Sequence, residues 1–143
     1  MNKLIPNFDE FVNEASKYTD NKDIAILAMQ GFSLRDQIHL FHWQTEIGDQ
    51  HKALGDYYES FLVQLDGLME VIMGKYGRIS VKSVGTPKPL IDLSEVNIED
   101  FVNSKVSIFE DAKKLFAKDS EILNILDEII AEIQKLKYLL TMS

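Results

Sequence analysis

Residues 49–76, DQHKALGDYYESFLVQLDGLMEVIMGKY, decide the fold. Leu54, Tyr58, Phe61, Leu65, Leu68 and Ile72 recur at alternating spacings of four and three, the stripe by which an amphipathic helix faces a core. At about 100° per residue, Glu59, Asp66 and Glu70 share a second face well away from that stripe. Leu62, Val63 and Met73 surround them there. A helix with apolar residues on two faces is usually covered on both, which predicts a partner chain.

Working outward, the short run Thr45-Glu46-Ile47-Gly48-Asp49 reads as a turn. Before it, a first helix is predicted over about 23–46, with Ile24, Leu27, Leu34, Ile38 and Phe41 inward. Asn7 to Lys17 reads as a shorter helical lead-in, capped at Asn7 and carrying Asp9 and Glu10 in its first turn. Beyond the second helix, Gly74, Gly77, Gly85 and Thr86-Pro87-Lys88-Pro89 mark a long connection that runs to about Asn97. A third helix starts there with Ile98, Phe101, Val102, Ile108, Phe109 and Leu115 inward. The fourth opens near Asp119 or Ser120 and buries Ile122, Ile125, Leu126, Ile129, Ile133, Leu136 and Leu140. No strand-period segment is longer than Ile79 to Val84.

The two short turns make each flanking pair of helices an antiparallel hairpin. The connection between them is long enough to climb the height of a bundle, and Ile91, Leu93 and Val96 give it an apolar edge. An ordered crossover with a short helix is therefore expected. The predicted fold is all-α, a ferritin-like four-helix bundle with one long crossover, spanning 1–143 as a single domain.

Composition closes several routes. The chain has no cysteine, which removes disulfides, thiolate metal sites and cysteine nucleophiles. The opening MNKLIPNFDEF lacks a long apolar run and meets Asp9 and Glu10 early, unlike a signal peptide. No stretch approaches the length of a membrane span. These features lead us to expect a cytoplasmic protein. The net charge of -8 opposes DNA binding and favours uptake of cations. No Ser-His-Asp order, phosphate loop or glycosidase carboxylate pair finds the strand or loop context it needs.

Chemistry concentrates on His42, His51, Asp66 and Glu70. Taking residue 47 as the middle of the first turn, His42 and His51 lie about 7 and about 6 Å below it, nearly level. Asp66 and Glu70 lie about 28 and about 35 Å down the second helix. Imidazole and carboxylate together suit iron or another divalent ion such as zinc. Ligand bonds are about 2 Å long, so one chain cannot bring all four groups to one ion. A two-fold dimer can, if the second helix packs antiparallel against its mate. Each of two equal sites then takes His42 and His51 from one copy and Asp66 and Glu70 from the other.

At these residues the chain resembles the Dps-type mini-ferritins (DNA-binding proteins from starved cells). Their pattern is a His-Trp pair ending the first helix and a His early in the second, then an Asp fifteen residues on and a Glu four beyond. His42-Trp43, His51, Asp66 and Glu70 stand in those places, and the last two spacings match. The close resemblance covers about residues 39 to 77, and elsewhere it is one of helix order and length.

The chain also departs from that pattern. His42 and His51 are nine residues apart where the family has twelve, and His39 to His51 keeps the twelve. His39 is therefore a rival ligand, although it lies about 12 Å from the turn and out of level with His51. Gly55 stands where members often carry an acid, and the lysine-rich arm of the DNA-binding members is missing. The resemblance, to a divergent branch such as a phage could encode, implies a ferroxidase that oxidises Fe(II) with hydrogen peroxide or dioxygen. It implies a homo-oligomer, up to a hollow dodecamer that stores the iron.

Bland readings compete with this one. Two histidines beside a turn can cap carbonyls or face solvent, and Asp-x-x-x-Glu is common on solvated helices. Trp43 reads first as an anchor closing the bundle end, and His39 as a core or supporting residue. The alternative to iron chemistry is a non-catalytic helical oligomerisation module on the same scaffold.

Overall fold

Asn21 starts the first long helix by capping it. Its side-chain oxygen accepts from the backbone N–H groups of Asp23 at 2.9 Å and Ile24 at 3.3 Å, donors that a helix start would otherwise leave unpaired. In this computed structural model, which describes residues 18–19, 21–85 and 88–143, that helix is α1, Lys22–Gln44. A turn over 45–47 leads into α2, Gly48–Tyr76. There the Thr45 hydroxyl donates to Gln50 at 2.6 Å and accepts from the Ile47 N–H at 3.2 Å. Gly77 ends α2 with φ 91, a backbone region that glycine adopts at little cost.

Beyond α2, β2 (Arg78–Ile79) pairs in parallel with β1 (Tyr18–Thr19), two residues each. The chain then climbs to a 3-10 turn, Leu93–Glu95, before α3 (Ile98–Ser104), α4 (Val106–Leu115) and α5 (Ser120–Leu140). The crossover direction follows from its partners. Gln37 in α1 donates to the Ile91 carbonyl at 2.8 Å and accepts from the Ile91 N–H at 2.9 Å. Gln44, at the top of α1, receives the Leu93 N–H and donates to Asp92, both at 2.8 Å. Phe41 meets Phe101 edge to face, 5.1 Å between centroids, at the same end. The connection has therefore returned to the end where α2 began, and α3–α4 run down beside it.

The result is an all-α bundle in which α1 packs on α2, α2 on α5, and α3–α4 on α5. Most expected inward residues are buried, from Ile24 and Phe41 through Phe61 and Leu68 to Ile122 and Leu140. Among the described residues no helix is long and apolar enough to cross a membrane. The lead-in expected over Asn7 to Lys17 lies outside the described residues.

Four expectations need correction. The predicted third helix is two, α3 and α4, separated at Lys105, which terminates one and precedes the other. Leu115 is not inward but 36% exposed, because α4 ends there and Phe116 turns into the core instead. Tyr58, placed in the core stripe, is only half-buried, while Tyr57 beside it is buried. Trp43 does not close the bundle end: it is 70% exposed, since the end is already filled by Phe41 and the crossover.

At the other end of the bundle, Asp119 is buried, with 3% of its surface exposed. It accepts hydrogen bonds from the Lys75 ammonium and the Tyr76 hydroxyl. Lys75 also reaches Glu121 at 3.2 Å. These bonds tie the end of α2 to the start of α5. The donation from Lys75, then from Tyr76, holds the Asp119 carboxyl below the ordinary carboxylate range.

Candidate functional site

The turn between α1 and α2 brings its two histidines into direct contact. The His42 and His51 rings stack with centroids 3.8 Å apart and planes 18° apart. His42 Nδ1 lies 2.6 Å from the His51 carbonyl oxygen, and His51 Nδ1 lies 2.7 Å from the His42 carbonyl oxygen. A carbonyl can only accept, so each Nδ1 carries the proton. In the neutral ring this leaves the lone pair on Nε2, free to take a metal or a proton.

Gly55 makes this arrangement fit. It sits one turn beyond His51 on α2, and a Cβ placed there would come 2.7 Å from His42 Cε1 and 2.9 Å from His42 Nδ1. No side chain occupies such a gap, so the His42 ring lies against the α2 backbone. Sequence reasoning saw Gly55 as a tolerated helical glycine standing where an acid is missing. It missed the close approach, which depends on how tightly two helices pack.

The remaining aromatic groups form a layer beside the pair. His39 stacks on Tyr58 with centroids 4.0 Å apart, and Trp43 meets His39 edge-on at 4.7 Å. Arg35 caps the layer, its guanidinium 5.9 Å from the Tyr58 ring centre. The His39 and His42 ring centroids are 6.4 Å apart, and it is His42 that meets His51. The role of Tyr58 as a platform for His39 was also missed, since at helical spacing it reads as core.

Asp66 and Glu70 are exposed on α2, as are Glu59, Leu62 and Val63. By axial rise Asp66 is about 22 Å along α2 from His51. Among the described residues, no three His, Asp or Glu side chains come together in a way that could hold a metal ion. The near-parallel ring planes of His42 and His51 do not meet within a bond length of both rings. A ring must tilt before one ion can use both lone pairs, and further donors must come from elsewhere.

Residues 42–140, more than half of the chain, match the model of a family of unknown function (DUF5856), and the chain belongs to that family. No curated protein matches the sequence, and no solved structure matches it.

Proposed function

We propose that the protein binds and oxidises Fe(II) at sites completed by two copies of the chain. In this reading the bundle is ferritin-like and the shared sites belong to an iron-sequestering homo-oligomer. One observation carries the reading: His42 and His51 each donate Nδ1–H to the other's carbonyl. Metal-ligating histidines are held in just this way, with the second ring N–H committed to an acceptor and the tautomer thereby set. Two imidazoles with their tautomers so set, stacked and partly open to solvent, suit a borderline divalent ion once one ring tilts.

The carboxylates of Asp66 and Glu70 supply the oxygen donors, from a second copy whose α2 runs antiparallel. Two neutral imidazoles and two carboxylates balance the charge of one divalent cation. Leu62, 37% exposed, and Val63, 71% exposed, offer the apolar contact between the copies. The net charge of -8 favours the approach of cations and disfavours DNA as a partner. Iron is the substrate: its electrons pass to hydrogen peroxide or dioxygen, while the chain contributes position and ligand charge.

The test is anaerobic loading with Fe(II), followed by hydrogen peroxide, with ferric absorbance read as an initial rate. The native chain should exceed the protein-free rate, and His51→Ala combined with Asp66→Ala should lower that excess at least tenfold. Equal rates in the two proteins reject ferroxidase chemistry at these residues.

A second reading rests on the same bonds. The His42 carbonyl lies in the last turn of α1, where helical carbonyls lack partners, and the His51 imidazole satisfies it. The pair would then be a clip for the α1–α2 hairpin in a non-catalytic oligomerisation module. Thermal melts separate the two: only a metal site predicts a rise in Tm with added Fe(II) or Zn(II) that His51→Ala removes.

A further inference from the structure

We propose that the groove between α1 and α4 binds a small amphipathic carboxylate, its acid group at Lys105 and Lys88 and its hydrocarbon body along Ile26 and Ile108. α1 packs closely on α2 but touches α4 little, and two clefts of about 550 and about 430 Å³ lie between them. Both clefts are lined by Ile26, Gln30 and Ile108, so they form one continuous groove. The upper cleft falls within the size of ordinary small-molecule pockets, roughly 300–1,000 Å³. Neither cleft shares a residue with the histidine pair, which α1 forms with α2.

Charge distinguishes this groove from the rest of the surface. The chain carries 23 acidic and 15 basic side chains, yet the wall of the upper cleft holds Lys88 and Lys105 and no Asp or Glu. Neither lysine has an ion pair among the described residues. Lys105 is half-buried at the break between α3 and α4, its ammonium 4.6 Å from the centre of the Phe101 ring. Burial first, then the nearby Lys88, hold that ammonium below the usual lysine value, which a neighbouring carboxylate would relieve. The lower cleft differs: Asp23 lines it, and its Lys114 is already matched by Asp111 at 3.5 Å. An anion is therefore directed to the upper end.

The donors at that end select the head group. The Ser104 and Ser107 hydroxyls already donate to the Phe101 and Ser104 carbonyls, at 2.6 and 3.0 Å, and Gln37 is committed to Ile91. No arginine lines either cleft among the described residues, so the forked contact that suits phosphate is missing. A carboxylate, with one charge and two oxygens, matches two ammonium groups. Below them the wall is aliphatic, from Met29 and Ile26 on α1 to Ile108 and Leu115 on α4. The groove runs about 15 Å from the level of Lys105 to that of Leu115, which accommodates an unbranched alkyl chain.

Titration calorimetry of the full-length chain with octanoate, 1-octanol and octyl phosphate, each below its aggregation threshold, tests this. Octanoate should bind once per chain, at least tenfold more tightly than 1-octanol and more tightly than octyl phosphate. Lys105→Met should weaken octanoate at least tenfold and leave 1-octanol within twofold, while Lys105→Arg should stay within threefold of the native chain. Lys88→Met, on the exposed crossover and outside every helix, should weaken octanoate at least threefold. Absence of octanoate binding, equal affinity for octanoate and 1-octanol, or indifference to both methionine substitutions overturns the proposal. Tighter binding of octyl phosphate overturns the choice of a carboxylate.

Discussion

Glycine inside a helix usually lowers stability by about 1 kcal/mol relative to alanine, yet α2 carries both Gly55 and Gly67 in its interior. The two differ in what surrounds them. A Cβ at Gly67 would meet nothing within 4 Å, whereas at Gly55 it would strike the His42 ring. Gly67→Ala should therefore raise stability by about 0.5–1 kcal/mol. Gly55→Ala should lower it, because overpacking costs about 1–3 kcal/mol and displaces a ring whose Nδ1 donates to the His51 carbonyl. Urea unfolding of the two variants side by side checks this. At this scale the sequence was only partly legible. It identified His42 and His51 as level, since rise per residue is local geometry. It could not show that their rings stack, or that a glycine makes room for one of them.

Among the elements, the crossover depends most on side chains. It has little secondary structure of its own between β2 and α3, and two glutamines of α1 hold it. Gln37 is buried and pairs with both backbone groups of Ile91, as a neighbouring strand would. Gln37→Leu keeps the apolar packing but leaves that N–H and carbonyl without their partner. The expected loss is about 2 kcal/mol, from unsatisfied groups in a half-buried setting. Faster limited proteolysis within residues 80–96 should accompany it. Unchanged stability and cleavage would show that the crossover holds itself. Periodicity and loop length anticipated an ordered crossover with a short helix, and Leu93–Glu95 is that turn. The break at Lys105 was not legible, because residues on both sides of it keep a helical apolar spacing.

For the whole molecule, two contacts matter beyond the core. The first lies at one end of the bundle: Lys75 and Tyr76 at the close of α2 hold Asp119 at the start of α5. Because the Asp119 carboxyl is held low, its contribution is present above the ordinary carboxylate value of about 4 and is lost as pH falls through the lowered one. The Glu121 carboxyl moves the same way, through its own backbone N–H first and then Lys75. Stability should therefore fall as the pH drops below the ordinary carboxylate range and through the lowered values, and Asp119→Asn should flatten that fall. Urea midpoints measured across the range decide it.

The second contact is the one proposed between copies. Val63→Lys adds a charge to the exposed face of α2 and touches no core residue, so the fold should persist while the assembly weakens at least tenfold. Sedimentation equilibrium of native and variant chains reads this directly, and a native chain that stays monomeric removes the shared site.

The order of the helices, their pairing into two hairpins and most of their positions, the break at Lys105 excepted, were determined by the sequence alone. Apolar spacing at 3.6 residues per turn and the lengths of connections are properties of neighbouring residues, which any folded form must respect. Only the tertiary structure decided which atoms meet. The contacts of His42 with the His51 carbonyl, of Gln37 with Ile91, of Asp119 with Lys75 and Tyr76, and the exposure of Trp43 all depend on how close two helices approach and at what rotation. A periodic pattern specifies the face that turns inward, but the atom waiting there is set by the packing of distant chain.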